Sequence, residues 1–315
     1  MEEILEPDLI ICDPHHHLWD GTYGNFGYRY MAEELFADTG SGHHIEKTVF
    51  VQCRSGYRTD GPEQFRCVGE PEFVVAAEPS GFIAGIVGFA DLRAPELEEV
   101  LAALAEAAQG RLRGIRQSTA HDPSPDVPGT PSSIPGLMTD PAFRAGFGTL
   151  PRFGLSYDAW LFHPQIPELT ALAREHEEVP IVLDHLGAPL GIGPYAARHD
   201  EVVREWRSSL AELATCPNVV LKLGGVGMPL FGKSWHERPG GATPEEIAAA
   251  YGDDIRWCID RFGADRCMFE SNFPVDRQSC SYAALWNAFK LIAKDMTPSE
   301  KQALFHDTAA RTYRI

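Results

Sequence analysis

The chain has 315 residues, of which 44% are apolar, and a formal net charge of −18. Its length accommodates one large α/β domain, and no apolar run approaches the roughly 18 to 20 residues that span a bilayer. The acidic charge argues against nucleic acid or an anionic membrane surface as the main partner, although a local group of arginines can still bind a small anion.

The N-terminus and the cysteines favour a cytoplasmic protein. Residues 1–6 are acidic and lack the basic start and long apolar stretch of a signal peptide. The seven cysteines are scattered without a Cys-x-x-Cys pair, which predicts reduced thiols and no zinc knuckle. We therefore expect a cytoplasmic protein that binds a small anionic organic substrate, and a homo-oligomer is compatible with these features.

Short apolar segments rich in β-forming residues recur along the chain and alternate with helix-like stretches. The eight predicted strands are 9–13, 47–52, 83–89, 112–116, 155–161, 180–185, 218–223 and 267–271. The predicted helices are 95–108, 167–177, 201–214, 244–261, 282–294 and 298–310, with Thr243 and Thr297 as N-caps of the fourth and sixth. This order predicts an α/β fold, a (β/α)8 TIM barrel formed as a single domain by residues 1–315. A doubly wound sheet is the alternative, but no Gly-rich nucleotide-binding turn follows a strand.

Long polar connections follow several of the predicted strands. They cover residues 21–44, 54–70, 118–139, 187–199 and 224–241. In a barrel these loops lie at the carboxyl ends of the strands, where the active site is built.

Histidines cluster at the end of the first predicted strand. Because side chains alternate along a strand, Asp13, His15 and His17 are expected on one face and His16 on the other. Two imidazoles about 6 to 7 Å apart can bind one metal or one substrate. A histidine-rich surface turn is the alternative interpretation.

Two further segments carry candidate catalytic groups to the same end of the barrel. His185 ends the sixth strand, although a lone histidine is often structural. Glu270 and Asn272 share a face after the eighth strand, and Asp276 lies in the loop beyond. A carboxylate there can activate water, whereas the alternatives are a paired barrel residue for Glu270 and a helix cap for Asp276.

Cationic side chains near other strand ends are candidate substrate contacts. Arg116 ends the fourth strand and is expected to hold a substrate carboxylate bidentately. Arg54 and Arg58 follow the second strand, with solvated loop cations as the alternative. Lys222 lies within an apolar strand as a lumen charge or a buried pair partner, and His163 follows strand five. Four aromatic residues are candidates for either the pocket wall or the core: Tyr23, Tyr28, Tyr30 and Trp160.

The motifs Asp13-x-His15-x-His17-Leu18-Trp19, Asp184-His185-Leu186-Gly187 and Ser271-Asn272-Phe273-Pro274 are specific in combination. Together they resemble the amidohydrolase-related TIM-barrel group of the amidohydrolase superfamily. The resemblance covers essentially the whole chain and is strongest to the branch of L-fuconolactonase, L-rhamnonolactonase and 2-pyrone-4,6-dicarboxylate lactonase. It implies a first-strand pair of His15 and His17, and a His185 that contacts the substrate carbonyl.

The chain departs from the family pattern at Asn272, where much of the family has an aspartate. A neutral amide cannot accept a proton from water near pH 7. Either Glu270 or Asp276 takes that role, or this subgroup works differently.

The sequence leaves the metal requirement open. His15, His17 and His185 can hold one divalent metal, zinc, with His163 as a further candidate ligand. The missing strand-eight aspartate, and the resemblance to lactonases that work without a metal, favour a metal-independent enzyme instead.

The expected activity is hydrolysis of the lactone of a small carboxylate- or hydroxyl-bearing acid. Asp276 or Glu270 takes a proton from water, and the three histidines, or a metal that they hold, stabilise the oxyanion. One alternative is a metal-dependent non-oxidative decarboxylase of an aromatic or enoic acid on the same barrel. The other is a non-catalytic sugar-acid-binding barrel.

Overall fold

The computed structural model describes residues 3–21, 27–129 and 133–315, and it contains one eight-stranded parallel sheet in the order β1 to β8. The strands are β1 (Ile10–His16), β2 (His44–Val51), β3 (Ile83–Gly88), β4 (Leu112–Ile115), β5 (Ser156–Ala159), β6 (Ile181–Leu183), β7 (Val219–Leu223) and β8 (Cys267–Phe269). The sheet forms a nearly closed barrel, so the predicted (β/α)8 TIM barrel is confirmed. The single-domain boundaries over 1–315 stay a prediction.

Helices surround the barrel. They are α1 (Ala32–Thr39), α2 (Gly69–Ala77), α3 (Leu97–Ala107), α4 (Pro141–Phe147), α5 (Ile166–Glu175), α6 (His199–Leu213), α7 (Pro244–Phe262), α8 (Tyr282–Ile292), α9 (Pro298–Gln302) and α10 (Thr308–Tyr313). Thr243 and Thr297 cap α7 and α9 as predicted, because each hydroxyl accepts the backbone N–H of a glutamate three residues later. None of the described helices is long and apolar enough to cross a membrane.

The helix predictions were incomplete in two ways. The segment predicted as one helix over 298–310 is α9, a π-helical turn at Ala303–Asp307, and α10. The helices α1, α2 and α4 were missed. They have seven to nine residues, and helices this short depend on tertiary packing more than on propensity.

The junction between β1 and the segment after β8 depends on the buried Asp13 carboxylate. Asp13 Oδ1 accepts the backbone N–H groups of Ser271 at 3.0 Å and His15 at 3.3 Å, and its Oδ2 accepts the Tyr282 hydroxyl at 3.0 Å. The backbone N–H of Asn272 donates to the His15 carbonyl at 2.9 Å. These bonds place the segment after β8 directly beside His15.

The prediction that Asp13 shares a face of β1 with His15 and His17 was wrong, although the two histidines do lie together. Cys12 packs with the valines of the barrel lumen, whereas the Asp13 carboxylate contacts Tyr282 of the outer helix α8. The pairing of β1 with β2 shifts register between Asp13 and His16. This irregularity changes which side chains face inward, so His15 reaches the lumen although Asp13 does not.

The amino end of the barrel is filled by the end of the chain. Tyr313 on α10 is fully buried, packs with the lumen valines, and donates its hydroxyl to Asp158 Oδ2 at 2.6 Å. Its ring lies 5.4 Å from Lys222 Nζ. Among the described residues, Tyr313 therefore blocks the amino end of the lumen, and the long loops lie at the opposite end.

Candidate active site

Three buried side chains from three strand ends meet in the mouth of the barrel. His15 lies near the end of β1, His185 follows β6, and Glu270 follows β8. Glu270 Oε1 accepts His185 Nδ1 at 2.6 Å and the His185 backbone N–H at 3.1 Å, and Oε2 lies 2.8 Å from His15 Nδ1. The sequence had proposed all three residues, with Glu270 as one of two candidates, beside Asp276, for the general base.

Glu270 is suited to orienting His185 and unsuited to accepting a proton. Burial alone raises the pKa of Glu270, but the charges and hydrogen bonds of His185 and His15 outweigh it and hold that pKa below its usual value. Since a carboxylate can only accept, His185 Nδ1 donates to Glu270, and the neutral ring carries its lone pair on Nε2. The dyad therefore fixes both the tautomer and the orientation of His185.

His17 lies beside this group, with its ring centroid 5.0 Å from that of His15. Its Nδ1 donates to the Val51 carbonyl at 2.7 Å, so the neutral ring has its lone pair on Nε2. Burial, with the charges of His15 and Arg116, lowers the pKa of His17 well below its usual value. A neutral His17 in this tautomer accepts a hydrogen bond and cannot donate one to an oxyanion, contrary to the role the sequence suggested.

Asp276 is a buried carboxylate with a pKa suited to proton transfer. Its Oδ1 accepts Asn272 Nδ2 at 2.8 Å, and its Oδ2 accepts the Gly227 backbone N–H at 2.8 Å. Burial raises the pKa of Asp276 to about 7, although the Gly227 N–H and the nearby His185 act in the opposite direction. Asn272 therefore positions Asp276.

The loop after β7 allows the close approach of these groups. A Cβ on Gly225, which has a φ of +70°, would collide with the His185 ring, and one on Gly227 would collide with Asp276. Only glycine fits at these two positions beside the site.

Arg116 and Lys222, two of the predicted substrate contacts, lie among buried carboxylates of the lumen, and their contact with a substrate stays a prediction. Arg116 donates to Asp184 Oδ2 at 3.2 Å and to the Gln52 carbonyl, and its Nε is buried without a hydrogen-bond partner among the described residues. Lys222 is fully buried and donates to Asp158 at 2.9 Å and Asp184 at 3.0 Å. Lys222 is therefore both a lumen charge and a buried pair partner.

Three other predicted contacts lie outside the histidine cluster. Arg58 is exposed and pairs with Glu72 on α2, and its contact with a substrate stays a prediction. His163 is buried beside the Tyr195 ring, and its Nδ1 accepts the Leu190 backbone N–H at 3.3 Å. Arg54 is exposed and lines a neighbouring cavity.

The aromatic candidates divide between mouth and core. Trp160 is half-buried, and its ring lies 4.9 Å from His185, so it forms part of the mouth. The Tyr28 hydroxyl donates to the Pro274 carbonyl at 2.8 Å, and Tyr30 is fully buried in the core. Tyr23 lies outside the described residues.

The backbone that carries His185 is a left-handed turn. His185, Leu186, Gly187 and Ala188 have φ values of 54°, 59°, 66° and 43°. Each residue with a Cβ costs roughly 1–2 kcal/mol in this conformation. The turn is held by Trp206 on α6, whose indole N–H donates to the Leu186 carbonyl at 2.6 Å. Such strain, fixed by its surroundings, is typical of functional segments.

Sequence reasoning missed the two carboxylates that organise the lumen, Asp158 and Asp184. Two features of the sequence could have identified them. A lysine within an apolar strand requires a buried acidic partner, and Asp158 and Asp184 lie at the ends of neighbouring strand segments.

The donor set of the cluster fits a small divalent metal. Among the described residues, ligand-capable atoms of His15, His185 and Glu270 lie within 4.8 Å of one another. Glu270 Oε2 is buried without an aligned hydrogen bond. Glu270 thus stands where the sequence had proposed His17 as the third ligand.

The charge balance around the cluster also accommodates a cation. Asp158, Asp184 and Glu270 provide three carboxylates, whereas Lys222 and Arg116 provide two positive charges. The acidic side chains of this buried group therefore outnumber its lysine and arginine side chains by one.

Comparison with known proteins agrees with this geometry. The sequence model of the Amidohydrolase family matches residues 12–315. An uncharacterized protein of Sinorhizobium fredii, y4mH, is 36% identical over 98% of this chain and 99% of its own length. An L-fucono-1,5-lactonase of Burkholderia multivorans is 30% identical over 96% of this chain and 95% of its own length. A crystal structure of a Burkholderia multivorans amidohydrolase with bound zinc is 26% identical and has a TM-score of 0.78, with 97% of this chain and 99% of that chain covered.

We expect Trp206→Phe to destabilise the protein by about 1–3 kcal/mol, because the Leu186 carbonyl loses its buried donor. The measurement is the urea midpoint followed by circular dichroism. Trp257→Phe is the matched control, since the half-buried Trp257 packs against Trp206 with ring centroids 5.9 Å apart. Equal losses in the two variants would contradict a bracing role for the indole N–H.

Proposed function

This chain belongs to the amidohydrolase family, and on that basis we propose that it hydrolyses the lactone of a small hydroxyl- or carboxylate-bearing acid. The observation that carries the proposal is the buried group of His15, His185 and Glu270 beside Asp276. This group combines a candidate ligand set with a carboxylate able to accept a proton near neutral pH. The similarity to an L-fucono-1,5-lactonase over nearly the whole of both chains supports a lactone as the substrate.

Asp276 is the proposed general base. With a pKa of about 7, its ionised form predominates only above neutral pH, and it still binds a proton strongly enough to take one from water. Asn272 Nδ2 orients the carboxylate, and the Gly227 N–H holds its second oxygen. The water that Asp276 activates attacks the acyl carbon and breaks the ring ester bond.

The remaining side chains bind and orient the substrate. His17 presents a lone pair on Nε2, which suits the acceptance of a hydrogen bond from a substrate hydroxyl group. Glu270 holds His185 in one tautomer, and Trp160 covers His185 on the mouth side. A divalent metal, zinc in the first instance, held by His15, His185 and Glu270 would polarise the acyl oxygen of the substrate.

The direct test is proton release from a panel of sugar-acid lactones that includes L-fucono-1,5-lactone, measured with a pH indicator. We expect ring opening of at least one lactone well above the spontaneous rate. Carbon dioxide release from aromatic or enoic acids, without any lactone opening, would establish a decarboxylase instead. Lactone binding without turnover would indicate a non-catalytic barrel.

The assignment of Asp276 predicts the pH dependence of the reaction. The base must be ionised, so kcat/KM should fall about tenfold per pH unit below pH 7 and reach a plateau above it. Asp276→Asn should lower kcat by about 10²-fold or more and remove this acidic limb. An unchanged limb in the variant would assign the titration to another group.

The ligand assignment predicts the effect of Glu270→Gln on metal binding. Loss of the carboxylate should weaken Zn²⁺ binding by about 100-fold, measured by titration of the chelator-treated protein. Glu70→Gln is the matched control, because Glu70 is an equally buried carboxylate outside the cluster. Equal zinc affinity in the two variants would contradict the assignment.

A further inference from the structure

A second cavity lies beside the barrel mouth, between the segments that follow β2 and β3. Its volume is about 450 Å³. The side chains that matter for its chemistry are Arg54, Tyr57, Glu63, Arg66, Phe89 and Asp91. Arg54 and Tyr57 follow the carboxyl end of β2, and Phe89 and Asp91 follow that of β3. The cavity is therefore at the same end of the barrel as the histidine cluster.

Two arginines in this cavity have no acidic partner within the described part of the chain. Arg54 and Arg66 are both exposed, and neither forms an ion pair there. Two neighbouring arginines do form ion pairs: Arg58 pairs with Glu72, and Arg93 pairs with Asp91. In a chain with a net charge of −18, two guanidinium groups at one cavity that form no ion pair among the described residues can attract an anionic ligand.

The backbone that presents Arg54 is strained and is held by a buried charge. Arg54 has a φ of +71°, which is uncommon for a residue with a Cβ. Oε1 of the fully buried Glu70 accepts the backbone N–H groups of Cys53 and Ser55, each at 2.9 Å. These bonds fix the turn on both sides of Arg54. A non-glycine residue kept in this conformation points to a function for its side chain.

Aromatic rings form an apolar wall beside the two charges. The Arg54 guanidinium lies 5.5 Å from the centre of the Tyr57 ring, and the Tyr57 and Phe89 rings are 6.5 Å apart. The combination of guanidinium groups and ring faces suits a carboxylate attached to a flat, largely apolar body.

Hydrogen bonds connect the wall of this cavity to the lumen. Gln52 Nε2 donates to the Tyr57 hydroxyl at 3.5 Å, and the Gln52 carbonyl accepts Arg116. Arg116 pairs with Asp184. We therefore expect other cationic side chains to bind an acidic group of the substrate.

We propose that this cavity is a carboxylate-binding subsite in which Arg54 and Arg66 hold the acid group of a carboxylated substrate. Its role in substrate choice rests on the proposed lactonase function, whereas its affinity for a carboxylate does not. Asp91 is already bonded to Arg93 and Gln117, so Glu63 is the acidic group of the cavity that opposes the ligand. Removal of the Glu63 charge should therefore strengthen binding.

The test is calorimetric titration of the full chain with isophthalate, a flat dicarboxylate. Isophthalamide, which has the same shape and no charge, is the ligand control. We expect isophthalate to bind and isophthalamide not to bind. Arg54→Met and Arg66→Met should each weaken isophthalate binding by about tenfold, and Glu63→Gln should tighten it. Arg204→Met is the matched control, because Arg204 is exposed on α6 outside the cavity.

Failure of wild-type protein to bind isophthalate, or equal affinity in the Arg54, Arg66 and Arg204 variants, would overturn the subsite. A kinetic arm separates this outcome from failure of the proposed function. Arg54→Met should raise KM for a carboxylated lactone at unchanged kcat, and should leave a neutral lactone unaffected. If no lactone is opened, only the lactonase proposal fails, and the titration still decides the subsite.

Discussion

The ammonium group of Lys222 is the constraint on which the rest of the site depends. It is fully buried in the barrel lumen, so the fold must supply partners, and it does so with Asp158 and Asp184. Asp158 in turn accepts the hydroxyl of Tyr313, which brings the end of the chain under the lumen. Asp184 accepts Arg116 and is followed directly by His185. One buried charge thus connects the amino end of the barrel to the mouth.

This network of ion pairs determines which charged side chains remain available for catalysis. Arg116 and Lys222 neutralise Asp158 and Asp184. Glu270 lies next to the network and is held by His185 and His15. Asp276 has no cationic hydrogen-bond partner among the described residues, and burial raises its pKa to about 7. The different hydrogen-bond partners of Glu270 and Asp276 therefore explain why Glu270 orients His185 while Asp276 is the proposed base.

The change from aspartate to Asn272 fits the same division. An amide at this position cannot be a base, but it can donate a hydrogen bond, and it donates to Asp276 four residues later. The backbone of Asn272 has a φ of +53°, a conformation that asparagine tolerates better than most residues. Asn272 thus supports the carboxylate of Asp276 instead of supplying one itself.

The sequence by itself determined the eight βα units and the arrival of His15, His185 and Glu270 at one end of a barrel. Strand periodicity and the N-caps are local signals, and parallel strands bring their carboxyl ends to one face. Tertiary structure alone decided the roles. The irregular pairing of β1 separates Asp13 from His15, and the partners of Arg116 and Lys222 come from strands far away in the chain. Such distant partners decide whether a charged side chain forms an internal ion pair or remains available to bind a ligand. The reason is that only an ion pair offsets the desolvation cost of burying the charge.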